Sequence, residues 1–489
     1  MYKPQLTSLF KNLFLASVAI ISFSCCSRGS VTDSVIDPPP TNPPATSYGN
    51  AHFWLTTADG SAKLQKQADL SFTNPTNSFQ NVEVDAAQTY QHIDGFGYTL
   101  TGGSVEVINK LSAAKREALL QDLFGKGENS IGISNIRLSI GASDLNSEVF
   151  SYDDMPAGET DVNLTNFSLS KDQALIDMLK KILLINPNIQ FIAAPWSPPI
   201  WMKDNGSSIG GSLKPEYYGV YAQYFVKYIN AMRAEGITIH GITPQNEPLH
   251  PGNNPSLFMS AEQQRDFIKN NLGPEFQRAN ISTKIIIYDH NCDNIAYATT
   301  ILSDPAAAAF VDGSAFHLYA GNISALSTLH NSFPTKNIYF TEQYTSSNGD
   351  FGGDLMWHMK NVIIGSMRNW SKNAMEWNIA NDANFSPHTP GGCTTCKGAI
   401  TVNSNDTYDK NVAYYIIGQI SKFVPYNAVR ISSTQAGNIS TVAFSTPDKI
   451  ALLVLNEGNN NENFNIKYKE NTAPAILAAK SVATYVFNK

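Results

Sequence analysis

A short apolar, β-rich run followed by a helical stretch occurs eight times between residues 92 and 379, and this alternation constrains the fold more than anything else in the chain. The runs occupy 92–97, 134–140, 189–196, 239–247, 284–289, 313–319, 337–342 and 374–379. Between them the spacing predicts helices over 171–184, 215–235, 261–272 and 355–370. Several of these open after Ser or Pro, as helix starts do. Strands alternating with helices over so long a stretch build a parallel sheet, and eight units close it into a barrel. The expected fold is α/β, a (β/α)8 TIM barrel.

The flanks read differently. Residues 68–90 and 428–489 are rich in β-formers, with 450–455 as a buried strand running into the turn Asn456-Glu-Gly-Asn-Asn-Asn. An N-terminal strand must pair somewhere, so a side β-sandwich built from both chain ends is expected. The division is an export signal over 1–25, a Pro-rich tether over 26–50, and an N-terminal β segment of the sandwich over 51–90. The catalytic barrel then takes 91–422 and the C-terminal β-sandwich 423–489.

At the N-terminus, Lys3 and Lys11 precede an apolar stretch over 13–23 that ends at Ser24-Cys25-Cys26. A basic start, a short apolar core and small residues around a cysteine are the pattern of an export signal. The stretch is shorter than the roughly 20 apolar residues that span a bilayer. Cys25 is the expected lipidated first residue of a bacterial lipoprotein, with an ordinary cleaved signal as the alternative. Pro-rich sequence after it forms an extended tether. The expected location is therefore outside the inner membrane, on the outer membrane, with an N-terminal lipid as the sole membrane contact. A net charge of −7 and no Lys/Arg-rich run exclude nucleic acid as a partner, because phosphate binding needs clustered cations. In an oxidising compartment Cys393 and Cys396, in a Gly-rich loop, favour a small loop-closing disulfide. Zinc and free thiols are the alternatives; a structural zinc site needs four ligands, and Cys292 is the one further cysteine available.

In barrels of this kind the reacting groups stand where strands end and loops begin. The ends of the predicted strands carry Arg137 and Asp144, Trp196, Asn246 and Glu247, His317 and Tyr319, Glu342, and Trp377 with Asn378. Cleaving a glycosidic bond needs two carboxyls, one to protonate the leaving oxygen and one to meet the developing oxocarbenium ion. Runs four and seven lie almost across an eight-stranded ring, so Glu247 and Glu342 can face each other over a sugar. At about 5–5.5 Å apart the second attacks directly and configuration is retained. The attacking group should stay ionised, aided by Arg137, while its partner is held protonated. Asp144, Trp196, His317 and Tyr319 are candidate sugar contacts; His317 reads equally as a core histidine. Glu376 precedes Trp377, so alternation turns it away from the site.

At these residues the chain resembles glycoside hydrolase family 30, which includes lysosomal glucosylceramidase and microbial β-1,6-glucanases. The motifs run in order from Gly95-Phe-Gly and Ile136-Arg-Leu through Ala194-Pro-Trp-Ser-Pro-Pro and Thr243-Pro-Gln-Asn-Glu-Pro. His317-Leu-Tyr, Phe340-Thr-Glu and Glu376-Trp-Asn complete the series. The resemblance implies Glu247 as acid/base, Glu342 as nucleophile, and sugar contacts at Asp144, Trp196, Asn246 and Trp377. It also implies a barrel with a side sandwich and no metal or organic cofactor. The loop after Glu247 and the Gly-Gly-Cys-Thr-Thr-Cys-Lys-Gly loop resemble the β-1,6-glucanase branch, and loops are where specificity is set.

The leading expectation is an endo-β-1,6-glucanase acting on β-glucan. An exo-acting β-glucosidase or glucosylceramidase-like enzyme is the nearer alternative. A non-catalytic glycan-binding lipoprotein is the more distant one; a matched pair of glutamates argues against it, since a binder has no need of one.

Overall fold

The structure, a computed structural model, describes residues 49–489; the expected export signal, Cys25 and the expected tether through residue 48 lie outside the described residues. All eight predicted runs form strands of one parallel sheet. In chain order these are Gly95–Thr99, Asn135–Ser139, Gln190–Ala194, Gly241–Ile242, Lys284–Asn291, Val311–His317, Asn337–Glu342 and Asn373–Asn378. They are called barrel strands one to eight below. Consecutive strands neighbour each other, and the eighth pairs back onto the first in parallel register, Asn373 opposite Gly95. Lys372 N donates to Ile338 O at 2.9 Å, which brings the seventh and eighth strands together and nearly closes the barrel.

The fourth run forms less strand than its sequence suggests. Only Gly241 and Ile242 pair, and the backbone leaves the ladder at Thr243-Pro-Gln-Asn-Glu. Pro244 has no N–H to offer a neighbour. Glu247 then takes φ +43°, outside the range of a strand. The departure swings Asn246 and Glu247 over the barrel mouth.

Outer helices hold the barrel by one apolar face each. Gln173–Ile185 buries Leu175, Ile176, Leu179 and Ile182, a helical spacing against the sheet. Truncating Leu179 to Ala in that packed layer costs about 2–5 kcal/mol. The helix beginning at Ala261 opens with a reciprocal cap: Ser260 N donates to Gln263 Oε1 at 2.7 Å and Gln263 N to Ser260 Oγ. It continues past the expected end at 272, through a wider turn over Ile268–Leu272, to Arg278. Pro274, which has no N–H to give, follows that wide turn after Gly273. A second wide turn, Met359–Ile364, interrupts the helical stretch from Phe351 to Arg368, so Trp370 falls beyond its end.

Both chain ends build the second sheet. Asn50–Thr57 pairs antiparallel with Ser481–Asn488, so Asn50 belongs to a strand and not to the tether. Gln80–His92 lies between Val429–Ser433 and Glu462–Tyr468. Val82, Leu452, Val454, Phe464 and Tyr485 form its separate apolar core. Two cations fix this sheet to the barrel side: Arg368 Nη1 donates to Thr441 O at 2.9 Å, and Arg430 lies 5.6 Å from the Trp370 ring centre. Among the described residues no helix is long and apolar enough to cross a membrane.

Candidate active site

Arg137, on barrel strand two, is fully buried and reaches three strand ends. Its Nη1 donates to Glu342 Oε2 at 2.5 Å. Its Nη2 donates to Asn246 Oδ1 at 2.6 Å and to Asp289 Oδ2 at 2.8 Å. A guanidinium suits this task because its fixed fork serves several acceptors at once. Tyr319 OH donates to the other Glu342 oxygen, Oε1, at 3.0 Å. Both oxygens of Glu342 are thus held, and the carboxylate has one direction in which to point.

Glu247 and Glu342 sit face to face. Their nearest carboxylate oxygens, together with a ring nitrogen of His317, all lie within 4.8 Å of one another. His317 Nδ1 is 3.2 Å from Glu247 Oε1, and its Nε2 is 3.1 Å from Asp289 Oδ1. Asp289 is in turn bonded by Thr243 Oγ1 and Thr341 Oγ1, each at 2.6 Å. Backbone geometry supports the cluster. Glu247 N donates to Asp289 O at 3.0 Å, and Gln264 Oε1 accepts from Tyr288 N at 3.0 Å. Glu247, Tyr288 and Asp289 all have positive φ, a conformation that costs about 1–3 kcal/mol per residue and gathers at functional sites.

Electrostatics follows from these contacts. Burial alone would push Asp289 up, but the Arg137 guanidinium and the His317 hydrogen bond hold it well below the usual carboxylate range. Burial would likewise lower His317; Glu342, Asp289 and Glu247 around it raise it to about 9. Burial pushes Glu342 up against the pull of His317 and Arg137. Glu247 moves down, because the bond and charge of His317 outweigh its burial. This reverses the order expected for a nucleophile and its acid, and on the Glu247 side the hydrogen bond and charge of His317 are the reason.

The cavity above the pair measures about 290 Å³ and is lined by Asp144, Trp196, Glu247, Tyr319, Glu342, Trp377 and the Cys393–Cys396 pair, among others. Trp196 and Trp377 are tilted against each other with ring centres 5.3 Å apart. Arg137, Asn246 and His317 lie beneath this wall and do not line it. Asn246 spends its Oδ1 on Arg137, and His317 reaches a substrate only through Glu247. Cys393 and Cys396 are disulfide-bonded with Cα atoms 5.7 Å apart. Asn378 does not line the cavity, and Glu376 turns to the helix side, where His358 Nδ1 is 2.8 Å away. Sequence reasoning missed Asp289, His290 and Tyr344. Asp289 ends the fifth predicted run, so the rule that found Glu247 and Glu342 applies to it equally.

Carboxylate oxygens within 4.8 Å of each other match the close pair of a retaining site, about 5–5.5 Å between carboxyls, and not the roughly 6.5–9.5 Å of the alternative geometry. A barrel with such a pair under an indole-walled pocket is built to break glycosidic bonds, and the protein is a glycoside hydrolase. The Glycosyl hydrolase family 30 TIM-barrel domain matches residues 93–424 and the family's beta sandwich domain matches 427–485. The chain belongs to glycosyl hydrolase family 30. It is 35% identical over 399 residues to an endo-1,6-beta-D-glucanase of Neurospora crassa, covering 78% of this chain and 81% of that one. It is 28% identical over 458 residues to putative glucosylceramidase 4 of Caenorhabditis elegans, covering 88% and 86%. The solved structure of the endo-beta1,6-glucanase BT3312 superposes with a TM-score of 0.85 at 35% identity, over 90% of this chain and all of that one.

Proposed function

We propose that the protein is a retaining endo-β-1,6-glucanase in which Glu342 is the nucleophile and Glu247 the acid/base. The observation that carries the roles is the asymmetry of the pair. Glu342 is fixed at both oxygens by Arg137 and Tyr319, whereas Glu247 has His317 Nδ1 3.2 Å from its Oε1 as its side-chain partner. Likeness to endo-1,6-β-glucanases at 34–35% identity, against 26–29% for glucosylceramidases, supports the linkage.

A Glu342 oxygen attacks the anomeric carbon as the C–O bond to the leaving sugar breaks. The departing oxygen takes a proton from Glu247. That proton comes from His317 Nδ1: its transfer to Glu247 Oε1 leaves a neutral imidazole whose Nε2–H still faces Asp289. Glu247 then takes a proton from water, the water oxygen bonds to the anomeric carbon, and Glu342 is released as carboxylate. Arg137 supplies the fixed positive charge beside the nucleophile, so no metal is called for. Asp144, Trp196 and Trp377 grip the sugar, while Asn246 helps to hold Arg137 in place.

The basic start, the apolar stretch over 13–23 and Cys25 support export with a lipid anchor on the bacterial outer membrane. The Pro-rich tether would then hold the enzyme away from the surface, facing a polymer. Intact mass of the mature N-terminus tests this; an unmodified first residue contradicts it.

Product analysis on linear β-1,6-glucan tests the substrate. An endo enzyme releases a ladder of short oligomers early. Glucose as the sole early product would shift the reading to an exo-acting β-glucosidase.

A further inference from the structure

Asp144 is gripped by a loop that no catalytic step requires. Its backbone carbonyl accepts from Thr389 N at 2.8 Å and from Thr389 Oγ1 at 3.3 Å. Its carboxylate Oδ2 accepts from Cys393 N at 3.1 Å. Gly392 lies so close that a Cβ there would stand 2.4 Å from Asp144 O. The disulfide loop therefore packs against Asp144, while Cys393 and Cys396 also face the cavity. Cys396 packs with Trp196 and Trp377 in one small apolar cluster.

A carboxylate grips a sugar hydroxyl well only if its free oxygen is aimed, and aim needs the other oxygen held. Asp144 is 5% exposed, and its Oδ2 accepts from that Cys393 N–H. We propose that the Cys393–Cys396 loop is a positioning element for substrate binding: the disulfide fixes the Cys393 N–H on Asp144 Oδ2, and this aims the remaining Asp144 oxygen at the sugar in the cavity. The inference rests on the glycosidase reading and deepens it, since it assigns part of the grip on substrate to a loop outside the barrel strands. Electrostatics points the same way. Burial and the nearby Glu342 push Asp144 up to about 7, and the Cys393 N–H opposes them. Releasing that N–H raises Asp144 further and delays its ionisation.

A double-mutant cycle tests this, with wild type, Cys393→Ser/Cys396→Ser, Asp144→Ala and the triple variant. kcat and KM are read on a nitrophenyl β-glucoside and on linear β-1,6-glucan. A hydrogen bond to a charged group is worth about 1.5–3 kcal/mol, so opening the loop is expected to raise KM about tenfold or more when Asp144 is present. In the Asp144→Ala background the same opening should change KM by less than about twofold, because nothing remains to aim. The acid limb of kcat/KM should also move to higher pH in the opened enzyme, as loss of the N–H raises Asp144. Wild type reduced with dithiothreitol, compared with the oxidised form, gives the same two readouts without substitution, should a variant fold or turn over poorly. Equal loss in both backgrounds, or an unmoved KM and acid limb after thiol titration proves the loop open, overturns the proposal. Cleavage of the glucoside but never of the glucan overturns the substrate reading instead, and the cycle is still read on the glucoside.

Discussion

Asp289 Oδ2 lies 2.8 Å from Arg137 Nη2, and both side chains are closed to solvent. Arg137 is thereby shared between two carboxylates, Asp289 beneath and Glu342 at the cavity floor. The lower carboxylate holds the guanidinium in place, so the upper one meets a cation that does not move. Removing one partner of such a buried set leaves uncompensated charge, which typically costs about 3–5 kcal/mol. Asp289→Ala is expected to lose stability on that scale in urea unfolding. Asp289→Asn keeps the shape and should fold better, yet lower kcat about 10–100-fold, because Arg137 and His317 lose the charge that orients them. A fully active Asp289→Asn enzyme would contradict this role.

Tyr319→Phe isolates the second donor to Glu342. The hydroxyl is part of the 3.0 Å contact to Oε1, and a phenylalanine keeps the ring against His317. Loss of one hydrogen bond to a carboxylate, about 1.5–3 kcal/mol, should lower kcat/KM about 10–100-fold with little change in melting temperature.

Glu247→Ala should separate the two halves of the reaction. Hydrolysis of glucan, whose leaving oxygen must be protonated, is expected to fall about 10²–10⁴-fold, the usual share of acid catalysis. A dinitrophenyl glucoside needs no such help, so its first step should survive and the covalent intermediate should accumulate as a burst. Equal losses on both substrates would show that Glu247 is not the acid.

The pH dependence follows from His317. Its pKa is raised from 6.5 to about 9, so its stabilisation is fully present below the lower value and is lost as pH rises through the upper one. Asp289 is depressed, so its contribution is present above 3.8 and is lost as pH falls through its lower folded value. Unfolding free energy should therefore decline as pH rises from 6.5 towards about 9, and His317→Gln should flatten that decline. The alkaline limb of kcat/KM should fall in the same window, since deprotonation of His317 takes away the proton that Glu247 delivers.

Much of this fold was legible because a barrel repeats a signal eight times, and each strand is short, apolar and buried on both faces. Glu247 and Glu342 stood out at strand ends through their neighbours Asn246-Glu247-Pro248 and Thr341-Glu342. Asp289 did not, although it closes the fifth predicted run in the same way, because an aspartate at the end of an apolar run looks like any turn residue until its partners are known. Those partners are Arg137 and His317, 152 and 28 residues away in sequence. His317 shows the complementary difficulty: its residue type suggested a sugar contact, while its depth beneath Glu247 is set by packing. The truncated fourth strand was foreshadowed by Pro244. The wide turns at Ile268–Leu272 and Met359–Ile364 leave the apolar spacing almost unchanged and have no comparable signature. The hold of Thr389 and Cys393 on Asp144 joins residues about 245 positions apart and is visible only in three dimensions.

The assignment of Glu342 as nucleophile is tested most directly by trapping the covalent intermediate. The enzyme would be incubated with an activated 2-deoxy-2-fluoro β-glucoside and digested, and the labelled peptide sequenced by mass spectrometry. One sugar ester on Glu342, absent from Glu342→Gln, is the expected result. Turnover of glucan with inverted configuration and no ester, or an ester on any other residue, would contradict the account.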